Sequence, residues 1–107
     1  MTATMTDTER YLAAVRRIVL ETLGDHPANV YLYGSHARGD TWRFSDVDVA
    51  IDPEVPLPSA LLLDMCEALE ESTVPYHVDV VDLSRVDAEF RDKVRAEGKL
   101  WNGSGSA

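Results

Sequence analysis

The chain has 107 residues, enough for one hydrophobic core and too few for two, so we expect a single domain over residues 1–101 and a flexible tail over residues 102–107. Its formal net charge of -9 repels phosphate backbones and argues against direct nucleic-acid binding. The sequence shows neither an apolar run of membrane-spanning length nor a signal-peptide pattern, so we expect a cytoplasmic protein without membrane contact.

The first predicted element is a helix. Residues 6–9 have the pattern of a capping box, apolar residues follow at helical spacing, and Gly24 ends the helix. Residues 30–33 are rich in β-formers and predict a strand that stops at Gly34. A short turn of helix is expected over residues 35–39.

Residues 46–51 alternate strictly and predict the second strand, with Asp46, Asp48 and Ala50 on one face. The proline-rich stretch at 52–58 is expected to end it. Ser59 is then expected to cap a helix that runs through Glu71. Cys66 lies in an apolar run of this helix, which favours a packed thiol over a reactive one.

Residues 76–81 predict a third strand, on which His77, Asp79 and Val81 share a face. Asp82 stands at the end of this strand, where a turn or cap is expected. Residues 84–87 have a second capping pattern and predict a last helix that ends at Gly98. Leu100 and Trp101 are expected to fold back onto the core.

This order of elements, α-β-(short α)-β-α-β-α, predicts an α+β (α/β) fold in which helices pack a small mixed β-sheet. The short link predicts that the first two strands are antiparallel neighbours, and the longer connection predicts a third strand parallel to the second. Gly34, Ser35 and Asp46 then lie at one end of the sheet. Asp79 lies level with Asp48, so three carboxylates are expected to converge.

Carboxylates in this arrangement suit two divalent cations, Mg²⁺ or Mn²⁺, which take oxygen ligands. The alternative for Asp46 and Asp48 is a solvated strand face without a metal. For His77, the alternative to metal ligation is a surface position away from the metals. Gly34 lets the backbone approach a phosphate closely, and Ser35 adds a hydroxyl donor. Arg38 is placed to reach a triphosphate oxygen, although an ion pair with Asp40 is the alternative.

The stretch "GSHARGDTWRFSDVDVAI", with the later "VDVV", resembles the signature of the polymerase-β-like nucleotidyltransferases, and the short chain is similar to the minimal nucleotidyltransferases (MNT proteins). The resemblance implies that Gly34 and Ser35 hold the β and γ phosphates of the nucleotide. It implies that Asp46 and Asp48 bind both metals, while Asp79 binds the one that activates the attacking hydroxyl. His36 departs from the basic residue often found there, which would weaken phosphate binding.

The resemblance also implies a partner. Minimal nucleotidyltransferases are commonly paired with HEPN ribonuclease toxins, and act as antitoxins that transfer AMP from ATP to a tyrosine of the toxin. The chain is therefore expected to be a protein adenylyltransferase in a hetero-oligomer with its substrate. Two alternatives stay open: an antitoxin that acts by binding alone with a residual metal site, and nucleotidyl transfer to a small hydroxylated molecule such as an aminoglycoside.

Overall fold

The computed structural model describes residues 6–34 and 46–102. Within these residues the chain forms three α-helices, a four-stranded sheet and one 3-10 turn: α1 (Asp7–Leu23), β1 (Ala28–Tyr33), β2 (Val47–Pro53), α2 (Ser59–Glu70), β3 (Val78–Asp82), the 3-10 turn (Leu83–Arg85), α3 (Ala88–Glu97) and β4 (Lys99–Leu100). The α+β fold class is confirmed. The helical turn predicted over residues 35–39 lies outside the described residues.

The sheet has the strand order β3-β2-β1-β4. β1 pairs antiparallel with β2, and β3 pairs parallel with β2, as the connection lengths predict. β4 pairs antiparallel with β1 through only two residues. This strand was not predicted, because two residues are too few to show a strand periodicity.

Helices cover both faces of the sheet. On one face, α1 and α2 enclose a core that includes Val15, Val19, Val49, Ile51 and Met65. On the other face, α3 and the 3-10 turn enclose a smaller core that contains Ala50, Leu83 and Val94. The guanidinium of Arg95 donates to both carboxylate oxygens of Asp52, at 2.8 and 3.0 Å, and so fastens α3 to the end of β2.

The capping box of α1 is present as predicted. Thr6 Oγ1 accepts from the backbone N–H of Glu9 at 3.1 Å, and Glu9 Oε1 accepts from the N–H of Thr6 at 2.9 Å. The bond from the backbone N–H of Thr6 to the carboxylate, with a smaller contribution from the Thr6 side chain, holds the pKa of Glu9 below its ordinary value. Both orphan donors at the start of the helix are thereby satisfied.

Several predicted boundaries are wrong by a few residues. β2 runs on to Pro53, which pairs with Ala28 at the very end of the ladder, where a proline interrupts no further pairing. Ser59 is the first residue of α2 rather than its cap, since Pro58 precedes the helix without a side-chain capping bond. α3 begins only at Ala88, because Asp87 accepts from the N–H of Phe90 and caps it there.

The expectation of a packed Cys66 is wrong, since its side chain is exposed. The neighbouring Met65 is fully buried. Successive helix residues point about 100° apart, so the core-facing position of Met65 turns Cys66 outward. Because most residues around Cys66 are apolar, the sequence pattern did not show which of them face the core.

Residues 99–102 fold back onto β1. Trp101 packs against the core, and its N–H donates to the carbonyl of Val30 at 2.7 Å, as expected. Leu100 pairs with β1 yet remains 42% exposed. The side-chain amide of Asn102 donates to the carbonyl of Ala28 at 2.6 Å, so the anchored chain extends through this residue. Among the described residues, no helix is long and apolar enough to cross a membrane.

Candidate active site

Asp48 and Asp79 lie side by side on adjacent strands. They are directly paired in the parallel ladder between β2 and β3. Paired residues of neighbouring strands share a face, and the strands are about 4.8 Å apart. The structure therefore brings these two carboxylates together at the level at which the sequence analysis places them.

Gly34 closes on Asp48 from the strand on the other side. It follows β1 with a φ of 77°, in the left-handed region that favours glycine. A Cβ at this position would overlap Asp48 Oδ2 and lie 3.3 Å from its Cγ. The missing side chain of Gly34 thus leaves the space that the Asp48 carboxylate occupies.

Tyr33 belongs to the same site, although no sequence motif pointed to it. It pairs with Asp48 across the antiparallel ladder and packs edge-on against Phe90, with ring centroids 5.8 Å apart. Burial raises the pKa of its phenol, and the negative charges of Asp48 and Asp79 raise it further. The sequence feature that indicates this role is the position of Tyr33 directly before Gly34, at the end of a predicted strand.

Asp79 is held by its neighbour on the same strand face. His77 Nε2 and Asp79 Oδ1 form a hydrogen bond at 3.1 Å, and both side chains are largely exposed. Asp82 has a different role, as the sequence analysis expects. Its carboxylate accepts from the N–H and the hydroxyl of Ser84 and caps the 3-10 turn.

We expect three carboxylates to converge, but Asp46 does not join Asp48 and Asp79. This residue is exposed and precedes β2, which begins at Val47 rather than at the predicted residue 46. In the part of the chain that the structure describes, no group of three or more His, Cys, Asp or Glu side chains is arranged to hold a metal ion. Because Asp46 lies outside the ladder, strand pairing does not orient it. Ser35, His36 and Arg38 lie outside the described residues.

The described donor set nevertheless fits a divalent cation of the Mg²⁺ type. Asp48 and Asp79 offer carboxylate oxygens, the ligands that Mg²⁺ and Mn²⁺ prefer. Two neighbouring anions repel each other, and both charges add to the rise that burial gives the pKa of Tyr33. A cation between them would relieve that repulsion.

The family model described as "Polymerase beta, Nucleotidyltransferase" matches residues 19–102, which is most of the chain. The chain therefore belongs to this family of nucleotidyltransferase enzymes, and the resemblance drawn from the Gly-Ser and Asp-x-Asp motifs is confirmed. The match includes both strands that carry Asp48 and Asp79.

Within the family the chain is similar to MntA proteins. It is 33% identical over 84 residues to the Haemophilus influenzae protein named "Probable protein adenylyltransferase MntA", a match that covers 78% of this chain and 72% of that protein. It is 32% identical over 73 residues to the Shewanella oneidensis "Protein adenylyltransferase MntA". That second match covers 67% of this chain and about half, 52%, of the relative.

Solved structures of toxin–antitoxin pairs contain chains with this fold. One, a toxin–antitoxin structure with AMP-PNP, matches with a TM-score of 0.66 and 26% identity over 82% of this chain and 73% of that chain. Another holds a tri-AMPylated Shewanella oneidensis HEPN toxin in complex with an MNT antitoxin. A chain of that structure matches with a TM-score of 0.66 at 20% identity, over 91% of this chain and 73% of that chain, and this likeness concerns the fold alone.

Proposed function

We propose that this nucleotidyltransferase is an antitoxin that transfers AMP from ATP to a tyrosine hydroxyl of a partner HEPN toxin. The observation that carries the proposal is the row formed by Gly34, Asp48 and Asp79 across three neighbouring strands. It joins a close backbone approach, suited to a phosphate, to a pair of carboxylates suited to divalent cations. We propose that residues 1–101 form a single nucleotidyltransferase domain and that it acts in the cytoplasm, where ATP is available.

Each residue of the motif has a proposed role. Asp46, Asp48 and Asp79 would hold two Mg²⁺ or Mn²⁺ ions, while Gly34, Ser35 and Arg38 would bind the triphosphate. The bound ions would neutralise the triphosphate and lower the pKa of the acceptor hydroxyl. Asp79, at the outer end of the row, would accept the proton of that hydroxyl as it attacks the α-phosphorus and pyrophosphate leaves.

The relatives support the choice of nucleotide and acceptor. MntA proteins are named protein adenylyltransferases, one related structure holds the ATP analogue AMP-PNP, and another contains an AMPylated HEPN toxin beside an MNT antitoxin. The net charge of -9 favours a protein acceptor over a nucleic-acid acceptor, because phosphate backbones are repelled. We therefore propose a hetero-oligomer with the toxin.

The test is a transfer assay with the protein encoded next to this chain, which the proposal expects to be a HEPN toxin. Incubation with ATP and Mg²⁺ is expected to add one or more AMP groups to a toxin tyrosine, as measured by intact mass and peptide mapping. Asp48→Asn is expected to lower the rate by at least about 100-fold, because a lost carboxylate misplaces the reacting groups. The matched control is Asp92→Asn on the exposed surface of α3, which should transfer at the normal rate.

Chelation of divalent ions with EDTA should stop transfer, and Mg²⁺ or Mn²⁺ should restore it. A toxin that gains no AMP while a small hydroxylated molecule does would contradict the protein acceptor. Undiminished transfer by Asp48→Asn would contradict the proposed site.

A second candidate, neutralisation by binding alone, is favoured by the exposed position of Asp46 outside the β2 ladder. The double variant Asp46→Asn/Asp48→Asn separates the two functions. Loss of protection in cells that express the toxin supports catalysis, whereas full protection by the double variant supports binding.

A further inference from the structure

A cleft of about 310 Å³ opens beside Asp79, on the side away from Gly34. Cys66 and Glu70 of α2, Tyr76 and His77 of the connecting loop, and Val78 and Asp79 of β3 contribute to its walls. We call it the edge cleft. Asp79 of the candidate active site therefore also lines a cavity large enough for a side chain with its flanking backbone.

The edge cleft follows the outermost strand of the sheet. β3 is the terminal strand in the order β3-β2-β1-β4 of the described residues, and it pairs with β2 on its inner side only. An exposed strand edge offers N–H and C=O groups to an extended segment of another chain. The cleft thus combines a side-chain cavity with a backbone edge.

The sheet order separates this cleft from the phosphate-binding corner. Gly34 follows β1, Asp48 lies on β2 and Asp79 on β3, so the two sites lie on opposite sides of Asp48. In-line transfer needs the attacking hydroxyl and the leaving pyrophosphate on opposite sides of the reacting phosphorus. A nucleotide held at Gly34 leaves the side of Asp79 for the acceptor.

The charge around the cleft indicates what kind of acceptor fits. α2 contains three acidic residues, Asp64, Glu67 and Glu70, and no lysine or arginine. Glu70 is the last residue of α2, where the helix dipole disfavours a negative charge. A basic side chain from a partner would relieve the repulsion among these carboxylates and the unfavourable interaction of Glu70 with the helix dipole.

We propose that the edge cleft binds the acceptor segment of the partner protein, as an extended strand with a basic side chain near Glu70 and its acceptor hydroxyl at Asp79. This inference rests on the proposed function, since it names the place where that protein substrate docks. It assigns Glu70, which touches no reacting atom, to recognition of the acceptor.

Cys66 makes the inference directly testable, because it is the single cysteine of the chain and lines the cleft. The rate at which a maleimide labels Cys66 is measured with and without the toxin used in the transfer assay. The control is Cys66→Ser/Ala13→Cys, which moves the thiol to the exposed surface of α1. We expect the toxin to slow labelling of Cys66 at least about tenfold and to leave the control unchanged.

Unslowed labelling of Cys66, or equal protection of both thiols, would overturn the docking site. AMP transfer is followed in the same samples by intact mass, so the two proposals fail independently. Transfer without protection of Cys66 would contradict docking in the edge cleft and support the enzyme function. Protection of Cys66 without transfer would support docking and contradict the enzyme function.

A second measurement uses charge reversal. Glu70→Lys is expected to raise the KM for the toxin about tenfold and to leave the KM for ATP unchanged. Glu97→Lys is the matched control, because Glu97 is the exposed last residue of α3 as Glu70 is of α2. An unchanged KM for the toxin in Glu70→Lys would contradict the role of this residue, and a KM change for ATP alone would place it with the nucleotide.

Discussion

At the scale of single residues, the candidate site depends on one close approach between a backbone and a carboxylate. Gly34 and Gly24 both adopt a positive φ, yet they differ in what a side chain would meet. A Cβ at Gly34 would overlap the Asp48 carboxylate, whereas a Cβ at Gly24 meets no atom within 4 Å. Substitution of Gly24 therefore tests backbone strain alone, whereas substitution of Gly34 tests strain together with displacement of the Asp48 carboxylate.

This difference predicts the outcome of two alanine substitutions. Gly34→Ala should push the Asp48 carboxylate aside and lower the kcat/KM of AMP transfer by about 100-fold, since displacements of the order of 1 Å have effects of that size. Gly24→Ala should lower the free energy of unfolding by about 1–3 kcal/mol through strain alone and leave the kcat/KM unchanged. Steady-state kinetics and urea unfolding of both variants measure these effects. Equal loss of activity in the two variants would contradict the contact.

Another prediction at this scale concerns the thiol of Cys66. Although the side chain is exposed, partial desolvation raises its pKa, and the charges of Glu70 and Asp79 raise it further. A raised pKa means less thiolate at a given pH, so removal of one negative charge by Glu70→Gln should lower the pKa and speed alkylation. The pH dependence of the iodoacetamide rate measures this shift. Glu97→Gln, at the end of a different helix, should leave the pH profile where it is.

At the scale of elements, local capping bonds decide where helices begin. The capping box of α1 satisfies two donors, while Asp87 caps α3 and Asp82 caps the 3-10 turn before it. The predicted pattern over residues 84–87 failed because Asp82 bonds Ser84 and takes it into the 3-10 turn. Local sequence thus specified the cap of α1 correctly, whereas the predicted cap Ser59 is the first residue of α2 and Ser84 is bonded by Asp82.

The capping box leads to a stability prediction. Thr6→Ala removes the oxygen that accepts from the N–H of Glu9 and should lower the free energy of unfolding by about 1 kcal/mol. Thr6→Ser keeps that oxygen and should retain most of the stability. Urea unfolding monitored by circular dichroism gives both values. A serine variant as unstable as the alanine variant would mean that the hydroxyl does not cap α1.

At the scale of the whole molecule, residues 99–102 close the sheet over β1. Arg16 of α1 donates to the carbonyl of Trp101 at 2.8 Å, and Asn102 bonds the backbone of Ala28. These contacts join residues far apart in sequence, and together with β4 they cover the edge of β1 that does not pair with β2.

This closure predicts that Asn102→Ala lowers the free energy of unfolding by about 1–3 kcal/mol, because it removes the amide that bonds the Ala28 carbonyl. The control is a chain that ends at residue 102, which keeps every one of these contacts and should unfold at the same urea concentration as the full chain. Should the shortened chain prove as unstable as Asn102→Ala, the anchoring would extend beyond Asn102.

The sequence by itself determined the order of the helices and three main strands, the face on which Asp48 and Asp79 lie, and the motif that identifies the family. These features follow from periodicity and spacing, which depend on near neighbours along the chain. The tertiary structure alone revealed the exposure of Cys66, the two-residue strand β4 and the place of Tyr33 in the field of two carboxylates. They depend on contacts between residues distant in sequence, and neither a two-residue pairing nor a through-space charge leaves a periodic trace in the chain.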